Sequence, residues 1–278
     1  MNKLLIVDGS GLLFQSFYGM PNKIKNYKGE YVEAVICFIG ILLKTVRMLD
    51  ADNVLVVFDG ENKLERRDVC ESYKANRVDY TQVRDEDNPY CQLDVIKCVL
   101  DKLNVCYTET TNCEADDLIA SIVNDYGGEM EIVISSSDKD FYQLINDRVS
   151  VFTYRGKVSK LWTKQEIIIK YGFEPKYFCT LKALSGDKSD NIMGVKGIGP
   201  LTATELIKKY GDLNNIYHNV NNLSARVREL LIENKERAYR NFSIIELFGK
   251  TGLWKKFNCS FEAPKESSVE ILKKFDIL

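Results

Sequence analysis

The chain has 278 residues, of which 45% are hydrophobic and 28% are charged, and its formal net charge is −2. This composition is ordinary for a globular protein and argues against general disorder, and the apolar runs are too short to cross a bilayer. The amino terminus lacks the long apolar stretch and small-residue cleavage site of a signal peptide, so we expect a cytoplasmic protein without a membrane partner.

The eight cysteines and the single histidine, His218, argue against several kinds of site. No Cys-x-x-Cys pair occurs, so the close ligand spacing of structural zinc is missing. We therefore expect reduced thiols that pack as small apolar groups. A lone histidine in a polar, Asn-rich stretch also argues against Ser-His-Asp and Cys-His catalysis.

Strand-like and helix-like segments alternate through the first half of the chain. We predict strands at residues 3–7, 53–58, 131–134 and 149–154, and helices at 33–49, 89–103, 114–125 and 139–145. Apolar runs separated by helices indicate an α/β fold, a mainly parallel sheet flanked by helices on both faces. The highly charged stretch between Gly60 and Asn88 is interpreted as a surface excursion. After about Thr163 we expect helices only, and we predict an α/β body over residues 1–162 and a helical part over 163–278 that packs closely against it.

Three predicted strands lead into an aspartate. Asp8 and Asp59 directly follow apolar strands, and Asp138 follows the run at 132–137. Taken singly, such an aspartate is most often a turn or cap residue. In an open parallel sheet, however, ligands bind outside the carboxyl ends of the strands, so the three side chains are expected to converge on one site.

Six further carboxylates follow at close spacings. They are Glu114, Asp116 and Asp117 at a helix start, then Asp140, and then the pair Asp187 and Asp190. Acids at a helix start are favourable by themselves, but that effect needs only one or two of them. So many carboxylates in one cleft would repel one another unless cations held them together, and all-oxygen ligation favours Mg²⁺ or Mn²⁺. We predict two such ions about 4 Å apart, an arrangement that hydrolyses phosphodiesters.

The net charge does not argue against a nucleic-acid partner. Setting the nine acids aside leaves 38 basic residues against 31 of the 40 acidic ones. The distribution of charge therefore matters more than its sum.

A glycine-rich turn lies between predicted helices at residues 194–203. Its glycines, Gly194, Gly197 and Gly199, allow a tight turn and a close approach of backbone N–H groups to a phosphate. The turn could be purely structural, but its position directly after Asp187 and Asp190, with Lys196, Lys208 and Lys209 nearby, favours phosphate binding without recognition of the bases.

Together these motifs resemble the flap endonuclease and 5′–3′ exonuclease family, most closely the bacterial branch that includes the N-terminal exonuclease domain of DNA polymerase I and stand-alone relatives. The matching segments, over about residues 3 to 250, are Asp8, Val57-Phe58-Asp59-Gly60, Tyr73-Lys74-Ala75-Asn76-Arg77, Glu114-Ala-Asp-Asp, Ser137-Asp138-Lys139-Asp140, Ser185-Gly-Asp187-Lys-Ser-Asp190-Asn and the hairpin at 194–199. The resemblance implies a PIN-like nuclease body, a helical arch over the active site at about 62–90, and a helix–hairpin–helix element at about 185–210 that grips duplex DNA. It also implies flap endonuclease and 5′–3′ exonuclease activity on DNA with a 5′ flap or 5′ single-stranded end, in replication and repair.

The resemblance further implies roles for individual residues. One metal, which carries the chemistry, would be bound by Asp8, Asp59, Glu114, Asp116, Asp138 and Asp140, and a second metal by Asp117, Asp187 and Asp190. Lys74 and Arg77, one helical turn apart at the base of the arch, would contact the scissile phosphate and help to stabilise the charge that develops when water attacks in line. DNA contacts are implied for Phe14, Arg66, Tyr73, Lys196, Lys208 and the hairpin glycines, and a K⁺ ion for the hairpin carbonyls. Phe14 could equally be a core residue.

Two features depart from the family pattern. Glu65-Arg66-Arg67 replaces Phe-Arg-His, so only Arg66 carries over, and the segment 78–90 is longer and more acidic, which bears on arch geometry and flap threading. With no polymerase domain and no obvious clamp-binding motif, we expect a separate protein. Two rival hypotheses are a PIN-type metal-dependent ribonuclease, against which the hairpin argues, and a non-catalytic binder of branched DNA, against which the full carboxylate set argues.

Overall fold

A six-stranded sheet forms the centre of the first part of the chain. The computed structural model describes residues 3–60, 66, 69–126, 130–247, 249 and 259–278. The strands are β1 (Lys3–Asp8), β2 (Asn53–Phe58), β3 (Cys106–Glu109), β4 (Glu131–Ser135), β5 (Val149–Thr153) and β6 (Lys160–Trp162). Their order is β3-β2-β1-β4-β5-β6, and all neighbours are parallel except β6, which runs antiparallel to β5. The predicted mainly parallel sheet is confirmed.

The register of the central strands brings their carboxyl ends to one level. Val7 lies beside Val56 on one side and Ser135 on the other. The chain order reverses between β1 and β4, which is the place where open parallel sheets leave a crevice for ligands.

Helices cover both faces of this sheet and continue to the end of the described chain. They are α1 (Gly9–Gly19), α2 (Glu33–Leu49), α3 (Leu93–Lys102), α4 (Ala115–Tyr126), α5 (Lys164–Tyr171), α6 (Phe178–Ser185), α7 (Pro200–Tyr210), α8 (Leu213–His218), α9 (Ala225–Glu233), α10 (Lys235–Ile245) and α11 (Ser268–Lys274). Among the described residues, none of these helices is long and apolar enough to span a membrane.

Alternate residues of β1 point into two hydrophobic cores. Leu5 and Val7 pack with α1, α2 and α3, while Leu4 and Ile6 pack with α4 on the opposite face. The second core continues into the helical part, because Leu206 of α7 belongs to the same buried cluster. The sheet and the later helices therefore share the core that contains Leu4 and Ile6.

Several local predictions differ from the structure. The prediction that strands stop after about Thr163 was wrong, since Gly186–Asp187 (β7) and Ile192–Met193 (β8) form a small antiparallel ladder. Gly186 has φ 82, and an added Cβ there would lie 2.5 Å from the backbone nitrogen of Gly194, so only glycine allows this approach. Such a two-residue ladder leaves no apolar run in the sequence.

The predicted arch segment contains 3₁₀ helices where it is described. They span Tyr80–Gln82, Asp85–Asp87 and Pro89–Gln92, and the last of them leads into α3. The helix predicted at 139–145 is likewise a 3₁₀ helix, Asp140–Leu144. Residues 62–65 and 67–68 of the predicted arch lie outside the described residues.

Candidate metal centre and nucleic-acid interface

Asp8 is fixed at the end of β1 by donors on two elements. Its carboxylate accepts a hydrogen bond from the Gly11 amide at 2.8 Å, which caps α1, and another from the Ser136 hydroxyl at 2.7 Å. An added Cβ at Gly11 would collide with this carboxylate, so glycine is required where the helix folds over it. The sequence Asp-Gly-Ser-Gly after a buried strand therefore holds the carboxylate rigidly at the sheet edge.

Asp59 and Asp138 are placed at the same edge. The Asp59 carboxylate accepts from the amide of Ala115 at 2.8 Å and so holds the start of α4 beside β2. The Asp138 carboxylate accepts from the amide of Asp140 at 2.8 Å, and the Ser136 hydroxyl accepts from the Asp138 amide at 3.0 Å. The predicted convergence of the three strand-end aspartates is what the structure shows.

One cavity collects these carboxylates. It has a volume of about 510 Å³, and four acids line it: Asp8, Asp59, Asp116 and Asp138. We call these four the cavity cluster. Burial raises the pKa of Asp8 to about 6, with the charges of Asp59 and Asp138 adding to the effect. Burial also raises the pKa of Asp116 well above its usual range, although Lys74 acts in the opposite direction. Mutual repulsion of this kind is relieved when a cation binds.

Three further acids form a second group, the trio. One carboxylate oxygen from each of Asp140, Asp187 and Asp190 lies within 4.8 Å of the other two. Opposite ligands of a Mg²⁺ ion are about 4.2 Å apart, so small side-chain rotations would let the trio hold one ion. With carboxylate oxygens as donors in both groups, the residues fit hard divalent ions.

The structure divides the nine acids differently from the division that the resemblance implies. Asp140 lies with Asp187 and Asp190, whereas it was placed with the first metal. Glu114 and Asp117 instead accept from Arg66, at 2.7 Å for the Asp117 contact. Their assignment as metal ligands stays a prediction.

Glu114 is the centre of a buried ion-pair network. Lys74 Nζ donates to it at 2.5 Å and the Tyr73 hydroxyl at 3.0 Å, and Arg66 also contacts it. Burial alone would raise the pKa of Glu114, but Lys74 and Arg66 hold it below its usual range. The resemblance implied a DNA contact for Tyr73, but this side chain is only 3% exposed. Its hydroxyl instead donates a hydrogen bond to Glu114.

Lys74 and Arg77 reach the site from a turn. Lys74 has φ 52, a left-handed conformation, so the two residues are not on one helix as predicted. The Lys74 amide donates to the Asp190 carbonyl at 3.0 Å, which docks the turn on the loop between β7 and β8. The Lys74 side chain is buried and lines the cavity, while the Arg77 guanidinium lies 3.2 Å from Asp190 and is 57% exposed.

Lys182 belongs to the site although no sequence motif indicated it. Its ammonium group on α6 contacts Asp140 and lies 2.6 Å from Asp187 Oδ2. The only available signal was its position in the helix that leads to Asp187, because the contact with Asp140 spans 42 residues.

An aromatic group borders the cavity on the side of the predicted arch. The Phe14 ring is partly buried and lies 5.5 Å from both Tyr80 and Tyr90, measured between ring centroids. The Tyr18 hydroxyl is 2.8 Å from that of Tyr80. Phe14, Tyr80 and Tyr90 all line the cavity, so Phe14 is open to a ligand. The sequence analysis did not identify the two tyrosines as site residues.

The glycine hairpin precedes the amino terminus of α7. Gly197 has φ 84, and Gly194 packs so closely on the backbone of Ser185 that a Cβ would not fit. Gly199 is the N-cap of α7 and faces open space. Lys196 is exposed on this turn, so it and the helix amino terminus are available to a phosphate. The K⁺ ion expected at the hairpin carbonyls stays a prediction.

Lys208 lies at the other end of α7. It is in the last turn of the helix, where its side chain runs over Gly172. The structure thus separates it from the hairpin, where a shared phosphate contact was expected.

The chain matches two domain models of one protein family and is similar to DNA polymerases I. Residues 3–172 match the model of the N-terminal resolvase-like domain of 5′–3′ exonucleases, and residues 173–257 match their C-terminal SAM fold. The chain is 36% identical over 231 residues to the thermostable DNA polymerase I of Thermus thermophilus, covering 82% of this chain and 26% of that protein. It is 34% identical over 242 residues to DNA polymerase I of Caldicellulosiruptor bescii, covering 85% of this chain and 28% of that protein. The chain thus spans about a quarter of the length of these curated relatives.

Solved structures share the fold. A complex of the bacteriophage T5 flap endonuclease with DNA and metal ions has a TM-score of 0.72 at 24% identity, covering 88% of this chain and 89% of that one. The T5 5′-exonuclease with bound zinc gives 0.71 at 24% identity, covering 88% and 90%. The catalytic core of Rad2 in complex with DNA substrate gives 0.63 at 17% identity, covering 98% and 88%. At these identities the likeness establishes the fold.

Proposed function

Because the chain belongs to the 5′–3′ exonuclease family, we propose that it is a metal-dependent nuclease that hydrolyses DNA near the junction of a 5′ single strand and a duplex. Its substrates are DNA with a 5′ flap and DNA with a 5′ single-stranded end on a duplex. The names of the relatives support this proposal, since they include a flap endonuclease complexed with DNA and metal ions.

The observation that carries the proposal is the cavity cluster. Elements far apart in sequence deliver four carboxylates to one cavity at the crevice of the sheet, and burial raises the pKa values of Asp8 and Asp116. Apolar or hydrogen-bonding residues would stabilise the fold better at these positions, so the cluster favours a role in holding cations.

We propose two Mg²⁺ ions as the cofactors, with Mn²⁺ able to replace them, one at the cavity cluster and one at the trio. When bound, such ions lower the pKa of water and stabilise charge on phosphate oxygens. The side chains of Asp8, Asp59 and Asp138 would hold the first ion, and the hydrogen bonds that they accept from backbone amides and a serine hydroxyl keep them in place.

Positively charged and aromatic groups position the DNA. Lys74 and Arg77 line the cavity and would contact the phosphate that is cut. Phe14 would stack on a base beside it. The exposed Lys196 and the amino terminus of α7 would hold the backbone of the duplex.

The test is cleavage of a 5′-flap DNA labelled at each end in turn, first with Mg²⁺ and then with EDTA. We expect metal-dependent cuts near the junction, and a loss of about 100-fold or more in Asp138→Asn, which removes one ligand charge and nearly keeps the shape. Asp147→Asn is the matched control, because Asp147 is 86% exposed and pairs with Lys164 away from the cavity. Tight flap binding with no cut in Mg²⁺ or Mn²⁺ would instead support a DNA-binding protein, and preference for a matched RNA would support a ribonuclease.

A further inference from the structure

Lys182 lies among the three carboxylates of the trio. Its ammonium group contacts Asp140 and is 2.6 Å from Asp187 Oδ2. The Lys182 side chain is 17% exposed, and those of the two acids are 11% and 9% exposed. One ammonium group thus occupies oxygens on two of the three acids that are close enough to share an ion.

An ammonium group and a divalent ion are attracted to the same carboxylates of the trio. A Mg²⁺ ion that bound oxygens of the trio at about 2.1 Å would lie close to the Lys182 ammonium group, which already contacts two of the three acids. Like charges also repel strongly where water is largely excluded.

We propose that Lys182 is a resident counterion of the trio, and that a divalent ion must displace it to bind there. The trio consequently binds metal more weakly than its three carboxylates would without the lysine. This inference rests on the proposed function, because it concerns the second metal of the same site. Lys182 thereby sets the metal concentration at which the second ion enters.

Two other cations near the trio have different positions. Arg77 lies 3.2 Å from Asp190 but is 57% exposed, so water screens its charge. Lys188 follows Asp187 directly in sequence and is exposed. Lys188 is therefore the matched control, because its substitution removes the same charge from a solvated side chain that is close to Lys182 in sequence.

The test is a titration of the metal-free full chain with MnCl₂, followed by calorimetry and by electron paramagnetic resonance of free Mn²⁺. We expect a tighter and a weaker site in the wild type. In Lys182→Met the weaker site should tighten about tenfold or more, because one charge close to the ion is gone. Lys188→Met should change it by no more than about threefold, because water and salt screen its charge. Lys182→Arg, which keeps the charge, should leave the weaker site weak.

A double variant, Lys182→Met with Asp187→Asn, assigns the affected site, since the gain should disappear when a ligand of the trio is lost. Equal Mn²⁺ affinities in the wild type and Lys182→Met, or equal gains in Lys182→Met and Lys188→Met, would overturn the proposal. Thermal melting confirms that each variant is folded before titration. The titration contains no DNA, so a failure here leaves flap cleavage by the wild type as an independent result, and the converse also holds.

Discussion

The cavity cluster and the trio differ in what balances their negative charge. In the cavity cluster, backbone amides and a serine hydroxyl donate hydrogen bonds to Asp8 and Asp59. In the trio, an ammonium group and a guanidinium group pair with the carboxylates, in addition to the hydrogen bonds that Ser189 donates to Asp187. The pKa values follow this difference: those of Asp8 and Asp116 are raised, while that of Asp187 is lowered.

The contrast implies two ways to build an acidic site. Neutral donors fix the geometry of the cavity cluster, and although Lys74 lines the same cavity, the raised pKa values of Asp8 and Asp116 leave most of its charge to a bound cation. Built-in cations stabilise the trio in the absence of metal, and they must yield when metal binds. Asp190 is intermediate, because burial raises its pKa in spite of Lys74 and Arg77.

The sharpest test of this contrast compares Asp116→Asn with Asp187→Asn. We expect Asp116→Asn to reduce flap cleavage by about 100-fold or more, as loss of a metal ligand does. The same change should stabilise the metal-free protein by about 1–2 kcal/mol, since it removes a buried charge that its neighbours repel. Urea unfolding in EDTA measures the second effect.

Asp187→Asn should have the opposite effect on stability. Lys182 pairs with Asp140 and Asp187, and the substitution removes the second of these ion pairs. The unfolding free energy of the metal-free protein should therefore fall by about 1–2 kcal/mol. If both variants shifted the unfolding free energy in the same direction, the two clusters would not differ in charge balance as we describe.

Glu114 shows the same kind of balance as the trio in a more buried setting. Glu114→Gln should cost about 3 kcal/mol of unfolding free energy, because Lys74 and Arg66 would be left as buried charges with a weaker partner. Glu109→Gln is the control: Glu109 is 40% exposed and pairs with Lys97, so its loss should cost less than about 1 kcal/mol. If the two variants lost similar amounts of unfolding free energy, burial would not determine how much an ion pair contributes to stability.

The pH dependence of stability separates the clusters without mutation. The pKa of Asp8 is raised to about 6 from 3.8, so the folded state binds this proton more tightly than the unfolded state. Stability of the metal-free protein should therefore fall, by about 1–3 kcal/mol, as the pH rises from 4 through 6. The pKa values of Asp187 and Glu114 are lowered, so their stabilisation is present above pH 4 to 5 and is lost only in stronger acid.

Urea unfolding at pH 5, 6 and 7, with EDTA and then with Mg²⁺, measures this difference. Mg²⁺ should stabilise the protein more at pH 7 than at pH 5, because the ion binds the deprotonated cavity cluster. A metal-free protein that became more stable between pH 5 and 7 would contradict the raised pKa values.

The sequence predicts the cavity cluster better than the trio for a physical reason. Asp8 and Asp59 follow runs of buried residues, and parallel strands necessarily end at one edge, so periodicity alone brings these acids together. Lys182 meets Asp140 only through the packing of α6 on the 3₁₀ helix at Asp140–Leu144. No local pattern records such a tertiary contact.

Local backbone geometry accounts for other differences. The left-handed Lys74 donates a backbone hydrogen bond to the carbonyl of Asp190, 116 residues away, and this contact cannot be predicted from Tyr-Lys-Ala-Asn-Arg. The ladder of β7 and β8 has two residues on each side, too few for an alternating pattern. The helix Glu33–Leu49 was predicted with its observed bounds because it carries many apolar positions, whereas the helix Gly9–Gly19 and the strand Cys106–Glu109 were not predicted.

The smallest expected effect on stability is that of substituting Arg77. This substitution tests whether an exposed cation contributes less to stability than the buried cations do. Its side chain is 57% exposed and its guanidinium group is 3.2 Å from Asp190, so Arg77→Gln should cost less than about 1 kcal/mol of unfolding free energy. Cleavage of flap DNA should nevertheless fall by about tenfold or more, since the side chain lines the cavity where we propose the scissile phosphate binds. Urea unfolding and flap cleavage are measured on the same preparation. A stability loss as large as that of Glu114→Gln would show that Arg77 supports the fold as the buried cations do, and the distinction between exposed and buried counterions would fail.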